Sequence, residues 1–187
     1  MSTELTGKKI AFLVANEGIE QAELTEPWQA VADAGAQPVL IAPKEGTAQA
    51  FNHLDKGDTF DVDVVTGDAA VDDYAGLVLP GGVANPDQLR QDAAAVSLVK
   101  QFAAAGKPIG VICHGPWTLV EAGVTAGKTL TSWPSLRTDL RNSGATWVDE
   151  EVHRDPAGGF VLISSRKPDD LPAFTKALVS EFAGSGS

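Results

Sequence analysis

The chain has 187 residues, 43% of them hydrophobic and 21% charged, an ordinary globular composition for one domain with its own core. Its net charge is −11, from 14 basic and 25 acidic residues. That balance repels phosphate backbones and anionic membrane surfaces, and no basic cluster offsets it, so nucleic acid and membrane are excluded as expected partners.

At the amino end, MSTELTGKK lacks the apolar run of a secretion signal, and no later stretch approaches a membrane span; cytoplasm is the expected location. Residues 8–15 (KKIAFLVA) form a short apolar run of the kind buried in a parallel sheet. Residues 21–34 follow with Leu24, Trp28, Val31 and Ala32 at helical spacing, closed by Gly35. Pro27 lacks an amide hydrogen, which predicts that the regular helix starts near Thr25 or kinks there. Residues 37–42 (QPVLIA) read as a second buried strand.

Phe60, Val62 and Val64 then alternate with Asp61 and Asp63, the pattern of a half-buried strand. With residues 48–53 before it and a turn over 55–58, this predicts a β-hairpin attached to the main sheet. Strand–helix alternation returns with a strand over 76–79 that ends at Pro80-Gly81-Gly82. Leu89, Ala93, Val96, Val99 and Ala103 mark a helix stopped by Gly106, and 108–112 is another buried strand. A helix over 116–122 has proline at its first position, where the missing N–H costs nothing. Farther on the pattern predicts strands at 129–131, near 147–153 and at 160–164, with a helix around 136–142. The last helix carries Leu171, Phe174, Leu178 and Phe182 on one face, with Asp169 or Asp170 as cap. The closing GSGS (184–187) reads as a flexible tail. Strands alternating with helices over short loops imply a parallel sheet covered on both faces, in a single domain spanning about 8–183. In such sheets sites form at the carboxyl ends of strands.

Cys113, the single cysteine, sits at such an end, between the strand Ile109-Gly110-Val111-Ile112 and the helix opened by Gly115-Pro116. A tight strand-to-helix turn displays a nucleophile above the sheet edge, and helix amides aimed at sulfur favour thiolate. Free cysteine is also among the most buried residue types, so the position fits a buried strand end as well. His114 is adjacent, yet neighbours on an extended strand face opposite ways; it serves as base only if the turn breaks that alternation. The paired Gly81 and Gly82 allow backbone amides to approach a ligand as in an oxyanion hole, or simply make a tight turn. A third loop, 16–23, carries Glu17, Glu20 and Glu23 near a helix start, where acids complement the dipole. His53, His114 and His153 show no metal-ligand spacing, and neither a metal nor a cofactor is expected.

Five stretches in unbroken order carry a resemblance: ANEGIEQAELTEP, LVLPGGVANPDQLR, VICHGPW, LTSWPSLRTDLRNSGATWVDEEV and SSRKPDDLPAF. Together they resemble the DJ-1/PfpI superfamily, in its PfpI (intracellular protease I-like) branch, from about Lys8 to Phe174. The resemblance implies a flavodoxin-like three-layer α/β sandwich, with a mostly parallel sheet, helices on both faces and an added β-hairpin. It implies Cys113 as the reactive cysteine, Glu23 as the buried glutamate hydrogen-bonding the sulfur, and Gly82 and His114 as oxyanion-type amides. His114 matches the histidine proposed as base in protease-like members, which form homodimers or rings of dimers. The acid that a neighbouring subunit adds there falls on or near Asp87, one methylene shorter than the glutamate of some members. Glu20 and Trp133 fall in the pocket, Trp133 standing where others carry tyrosine.

An ionised Glu23 opposes a thiolate, whereas a protonated one donates to it; the two are expected to titrate as a pair, with thiolate and protonated Glu23 near neutral pH. Three readings of function follow. One is a stress-response protein acting as a cysteine peptidase or amidohydrolase on a small-molecule or peptide substrate. Another is a glyoxalase or deglycase acting on methylglyoxal or its adducts. The third is a redox sensor whose lone thiol oxidises to sulfenic or sulfinic acid.

Overall fold

Alternation of apolar residues along each strand sets the layers of the computed structural model, which describes residues 4–184. In chain order, β1 (Lys9–Leu13) leads through β2 (Glu17–Glu20) into helix α1 (Gln21–Asp33). Then come β3 (Gln37–Ala42), β4 (Thr47–Asn52), β5 (Asp55–Asp61), β6 (Val64–Val65) and β7 (Gly76–Leu79). Helices α2 (Ala84–Leu89) and α3 (Ala93–Ala104) precede β8 (Ile109–Ile112) and α4 (Pro116–Ala122). The remainder is β9 (Thr129–Leu130), α5 (Arg137–Asn142), β10 (Thr146–Trp147), β11 (Val152–Asp155), β12 (Leu162–Ser165) and α6 (Leu171–Gly184).

Seven strands form one sheet in the order β11-β12-β8-β7-β1-β3-β6, parallel throughout except for the antiparallel β11–β12 pair. Ile10, Phe12, Leu40, Val78 and Ile163 face α1 and α6, where they meet Leu24, Val31, Phe174, Leu178 and Phe182. Ala11, Leu13, Ile41, Leu77, Leu79 and Val111 face the other way, against Val99, Phe102, Leu119 and Leu140. This is the expected three-layer α/β sandwich. Each fully buried Leu or Phe contributes about 1.5–3 kcal/mol. Phe174, Leu178 and Phe182 lie on the buried face read from their spacing.

Several local expectations change. The hairpin exists, but it is not attached to the main sheet: β4 pairs with β2 and β5, forming a separate three-stranded sheet. Its turn is at 53–54, and Asp55–Asp61 is strand. Residues 17–20, read as loop, are the parallel partner of β4. Helix α1 runs unbroken from Gln21 with Pro27 inside and buried, so the proline removes one internal donor without delaying the start. Leu89 belongs to the short α2, and α3 starts after Asp92, whose carboxylate accepts from Ala95 N at 2.7 Å. The run over 147–153 is two strands, β10 and β11. The Asp170 carboxylate turns back to Arg166, accepting from its backbone N and its guanidinium, rather than capping α6. Of the predicted tail, residues 185–187 lie outside the described residues, and Gly184 ends α6.

The parallel strands β1, β7, β8 and β12 all end at one edge of the sheet. The loops that follow them, with β2 alongside, meet there.

Candidate active site

Cys113 follows β8 directly and has φ +61°, one of two non-glycine residues with positive φ among the described residues. A left-handed conformation costs a residue with a Cβ about 1–2 kcal/mol, and such strain concentrates at functional positions. The surroundings fix it. Cys113 N donates to Ser165 O (3.1 Å), Cys113 O accepts from Trp133 N (2.9 Å), and Gly115 N closes the turn onto Ile112 O (2.9 Å). The bend breaks the strand alternation, so His114 faces the same way as the cysteine: its Nδ1 stands 3.1 Å from Sγ. The condition that the sequence set for a base is met.

The loop after β7 closes the other side. Gly81 N donates to Glu23 Oε1 at 3.1 Å. A Cβ on Gly81 would come within 2.5 Å of that oxygen and 2.7 Å of the Cys113 Cβ, so glycine is what allows Glu23 and Cys113 to close on one another. Gly82 has φ +83°, and a Cβ there would lie 2.2 Å from Gly18 O. The backbone amides of Gly82 and His114 both face Sγ and favour its charged form. Asn85, buried in α2, ties the loop down: Nδ2 donates to Pro80 O and Gly81 O (3.0 Å each), and Oδ1 accepts from Ala15 N (2.7 Å).

Glu23 is fully buried, and burial pushes its carboxyl up to about 8, with the charge of Glu20 adding to the rise. Oε2 has no hydrogen bond of ordinary geometry; the Cys113 thiol is the polar group beside the carboxyl. Burial also raises the Cys113 thiol well above its ordinary range, Glu23's charge raises it further, and the two amides oppose without winning. Burial lowers His114. These directions favour a carboxylic acid, a thiol and a neutral imidazole, since at 7% exposure the sulfur loses more hydration than two amides replace.

Aromatic groups hold the imidazole. The Trp133 ring stacks on His114 (centroids 5.8 Å, 23°), and Trp117 meets it edge-on at 5.4 Å. Trp133 is itself fixed, since Ser132 Oγ donates to its carbonyl and accepts from Trp147 Nε1 (3.0 Å). Glu20 is half-buried at the start of α1, and its carboxylate accepts from His53 N at 3.1 and 3.4 Å. Cys113, His114, Glu23, Gly82, Glu20 and Trp133 thus come together. Asp87 does not: it is exposed on α2, and no hydrogen bond links it to His114 within the chain. Asn85, Trp117 and the His53 amide were not read as site groups. Nothing in the sequence singles out Asn85, and no signal there marks a backbone amide as a partner for Glu20. Among the described residues no group of three His, Cys, Asp or Glu could hold a metal ion.

A model of the DJ-1/PfpI family matches residues 8–181. The chain belongs to the DJ-1/PfpI family. Within it, the chain is 37% identical over 171 residues to a deglycase of Pyrococcus horikoshii, covering 91% of this chain and 97% of that one. It is 38% identical over 177 residues to general stress protein 18 of Bacillus subtilis, covering 91% and 95%. Among solved structures, Drosophila melanogaster DJ-1beta superposes with a TM-score of 0.83 at 27% identity, over 98% of this chain and 92% of that one. Among the described residues of this DJ-1/PfpI protein, no helix is long and apolar enough to cross a membrane.

Proposed function

We propose that this protein is a cysteine-dependent hydrolase of the peptidase or amidohydrolase type. The observation that carries the reading is the 3.1 Å contact of Sγ with His114 Nδ1, on a sulfur also faced by the amides of Gly82 and His114. The neutral imidazole takes the thiol proton as Sγ forms a bond to the substrate carbonyl carbon. The carbonyl electron pair moves onto oxygen, which the Gly82 and His114 N–H groups stabilise. Collapse breaks the C–N bond, and the leaving amine takes the proton from His114. Water then cleaves the thioester, and the thiol is restored.

A second reading rests on Glu23. A buried acid with its proton held to about 8 beside the sulfur suits proton transfer in carbonyl addition, and a relative is named a deglycase. In that reading Cys113 adds to methylglyoxal or its adducts and Glu23 moves the proton. Purified wild type and Cys113→Ser, assayed on peptides, on methylglyoxal and by intact mass after peroxide, separate the readings. Peptide turnover lost in the variant supports the hydrolase, and methylglyoxal turnover lost in the variant supports the second reading. Oxidation at Cys113 with no turnover leaves the redox sensor.

Family members are often oligomeric. We infer a cytoplasmic homodimer or higher homo-oligomer in which Asp87 of a neighbouring subunit reaches His114. Sedimentation of wild type and activity of Asp87→Ala test this, and a fully active monomer would sink it.

A further inference from the structure

At the opposite end of the main sheet from Cys113 lies a cavity of about 360 Å³. Lys9 and Gln37, the first residues of β1 and β3, line it together with Asp73 and Tyr74, which come just before β7. It therefore sits at the amino ends of the parallel strands, whereas Cys113 follows the carboxyl end of β8. The cavity exists because β6 is short: it pairs with β3 only at Ile41 and Ala42, which leaves the first half of β3 uncovered on that side. Asp63 closes off Leu40, donating from its N to Leu40 O (2.9 Å) and accepting at Oδ2 from Leu40 N (2.8 Å). Pro38, also in the lining, has no N–H to offer.

Carboxylates and aromatic rings dominate the rest of the lining. Asp63, Asp68 and Asp73 stand around the cavity against one cation, Lys9. The nearby Lys107 ammonium is held by Val71 O (2.7 Å) and Tyr74 O (2.5 Å) and does not line it. Tyr74 is only 5% exposed, yet its hydroxyl has no hydrogen-bond partner among the described residues. Burial raises its phenol, and the charges of Asp73 and Asp63 raise it further, so both carboxylates lie near that hydroxyl. A buried hydroxyl left unpaired costs about 1–3 kcal/mol, which a ligand donor or acceptor recovers. Trp28 of α1 adds an indole, set against Phe12 with ring centroids 5.1 Å apart. Among the described residues no three His, Cys, Asp or Glu side chains converge closely enough to hold a metal ion. The three carboxylates are spread along the cavity instead.

We propose that this cavity is a binding site for a small aliphatic diamine, separate from the cysteine site and independent of the reaction carried out there. Three carboxylates against one ammonium leave two charges unmatched, which is what a diammonium ion carries at its two ends. Such a ligand brings hydrogen-bond donors to a lining made mostly of acceptors. Its ammonium groups meet the carboxylates and the Tyr74 hydroxyl, and its methylenes cover Trp28 and Pro38. An ammonium near the indole face gains further attraction. The net charge of −11 raises the local concentration of cations of this kind.

Calorimetric titration of the full chain with 1,4-diaminobutane at low salt tests it, with 1,4-butanediol and Mg²⁺ as the uncharged and the inorganic counterparts. The diamine is expected to bind with a Kd of about 1 mM or tighter, and the diol and Mg²⁺ to give no saturable heat. Asp68→Asn/Asp73→Asn, both at exposed positions, is expected to weaken the diamine about tenfold or more. Tyr74→Phe keeps the ring beside Phe102 and is expected to weaken it about threefold or more. Glu45→Gln/Glu151→Gln removes the same charge at exposed positions outside the cavity and is expected to change the Kd less than about twofold. Equal weakening by the two double variants would reduce the effect to attraction by an acidic surface, and the proposal falls. It falls too if wild type gives no saturable heat, if Mg²⁺ competes as well as the diamine binds, or if Tyr74→Phe binds like wild type. N-acetyl-lysine amide, with one ammonium on a peptide unit, is expected to bind about tenfold more weakly; equal binding would make the occupant a protein side chain and overturn the diamine. The wild-type titrations decide the matter even where a variant fails to fold.

Discussion

Cys113 Sγ and His114 Nδ1 lie 3.1 Å apart although the two residues are consecutive, because the φ of +61° at Cys113 turns both side chains to one side. One residue thereby supplies two functions, an imidazole and a backbone N–H, to the same sulfur. Trp117 and Trp133 fill the space around the ring, so it has little freedom to swing away.

If His114 takes the thiol proton, its neutral form is required. Burial lowers its pKa below 6.5, so the neutral form is present at pH 7 and is lost only in more acidic solution. Alkylation of Cys113 by iodoacetamide is expected to rise with pH through an inflection below 6.5. His114→Gln keeps a polar side chain but cannot take the proton. It is expected to slow the reaction by about 10²-fold and to remove that inflection. Rates by intact mass from pH 5 to 8 check this, and superposable profiles count against the base.

Glu23 makes stability depend on pH. Its folded value of about 8 lies above the ordinary 4.5, so between these limits the folded protein holds a proton that the unfolded chain releases. The unfolded state then binds fewer protons, and stability falls as pH rises from about 4.5 to about 8, by at most about 1.4 kcal/mol per pH unit. Glu23→Gln removes the titration while keeping an acceptor for Gly81 N. Urea unfolding of both proteins at pH 5, 6.5 and 8 is expected to show the variant gaining on wild type at each step. A constant difference would remove the buried acid from the account.

The main sheet and the elbow were legible because their signals are local. Each buried strand is a short apolar run, and Cys113 stands between such a run and Gly115-Pro116 at a sheet edge. The second sheet was less legible. The parallel partner of β2 is β4, some thirty residues on, and the polar–apolar alternation around Phe60 says only that one face is buried, not which sheet supplies the neighbours. The site's electrostatics were partly legible: the carboxyl beside sulfur was implied by the family resemblance, whereas the residues alone read Glu23 as one of three acids at a helix start, and the burial that raises the thiol follows from packing. Asn85 was hidden for a related reason, since its three partners come from two other loops.

Asn85 is expected to be a stability residue with an effect on the site. Asn85→Ala leaves Ala15 N and Pro80 O without this partner in a buried place, while Gly81 O keeps the bond from Glu20 N, and each unpaired backbone group costs about 1–3 kcal/mol. A loss of at least about 2 kcal/mol in urea unfolding is expected. Asn85→Asp should fare no better, because its second oxygen would face two carbonyls in place of a donor. The loop so released carries the Gly82 amide, so peptide turnover should fall in both variants even where they remain folded. A loss under about 0.5 kcal/mol would mean that water replaces the side chain.

Gly82 and Gly67 separate backbone constraint from the mere loss of a glycine. At Gly82 a methyl group would lie 2.2 Å from Gly18 O and 2.7 Å from Glu20 N, on a backbone with φ +83°. Neither contact is to a flexible side chain, so Gly82→Ala must shift the loop or β2. The first carries the amide off the sulfur, and the second moves Glu20. Gly67 has open space around it and no positive φ. Gly67→Ala is therefore expected within about 0.5 kcal/mol of wild type, and Gly82→Ala to lose about 2 kcal/mol or more. If the Gly82 amide holds developing charge on oxygen, as proposed, peptide turnover should drop by about 10²-fold or more in Gly82→Ala. Iodoacetamide, which develops no oxyanion, should lose far less. Thermal unfolding and the two rates measured together decide the point: equal losses in both reactions would assign the loop to sulfur access instead of to the oxyanion.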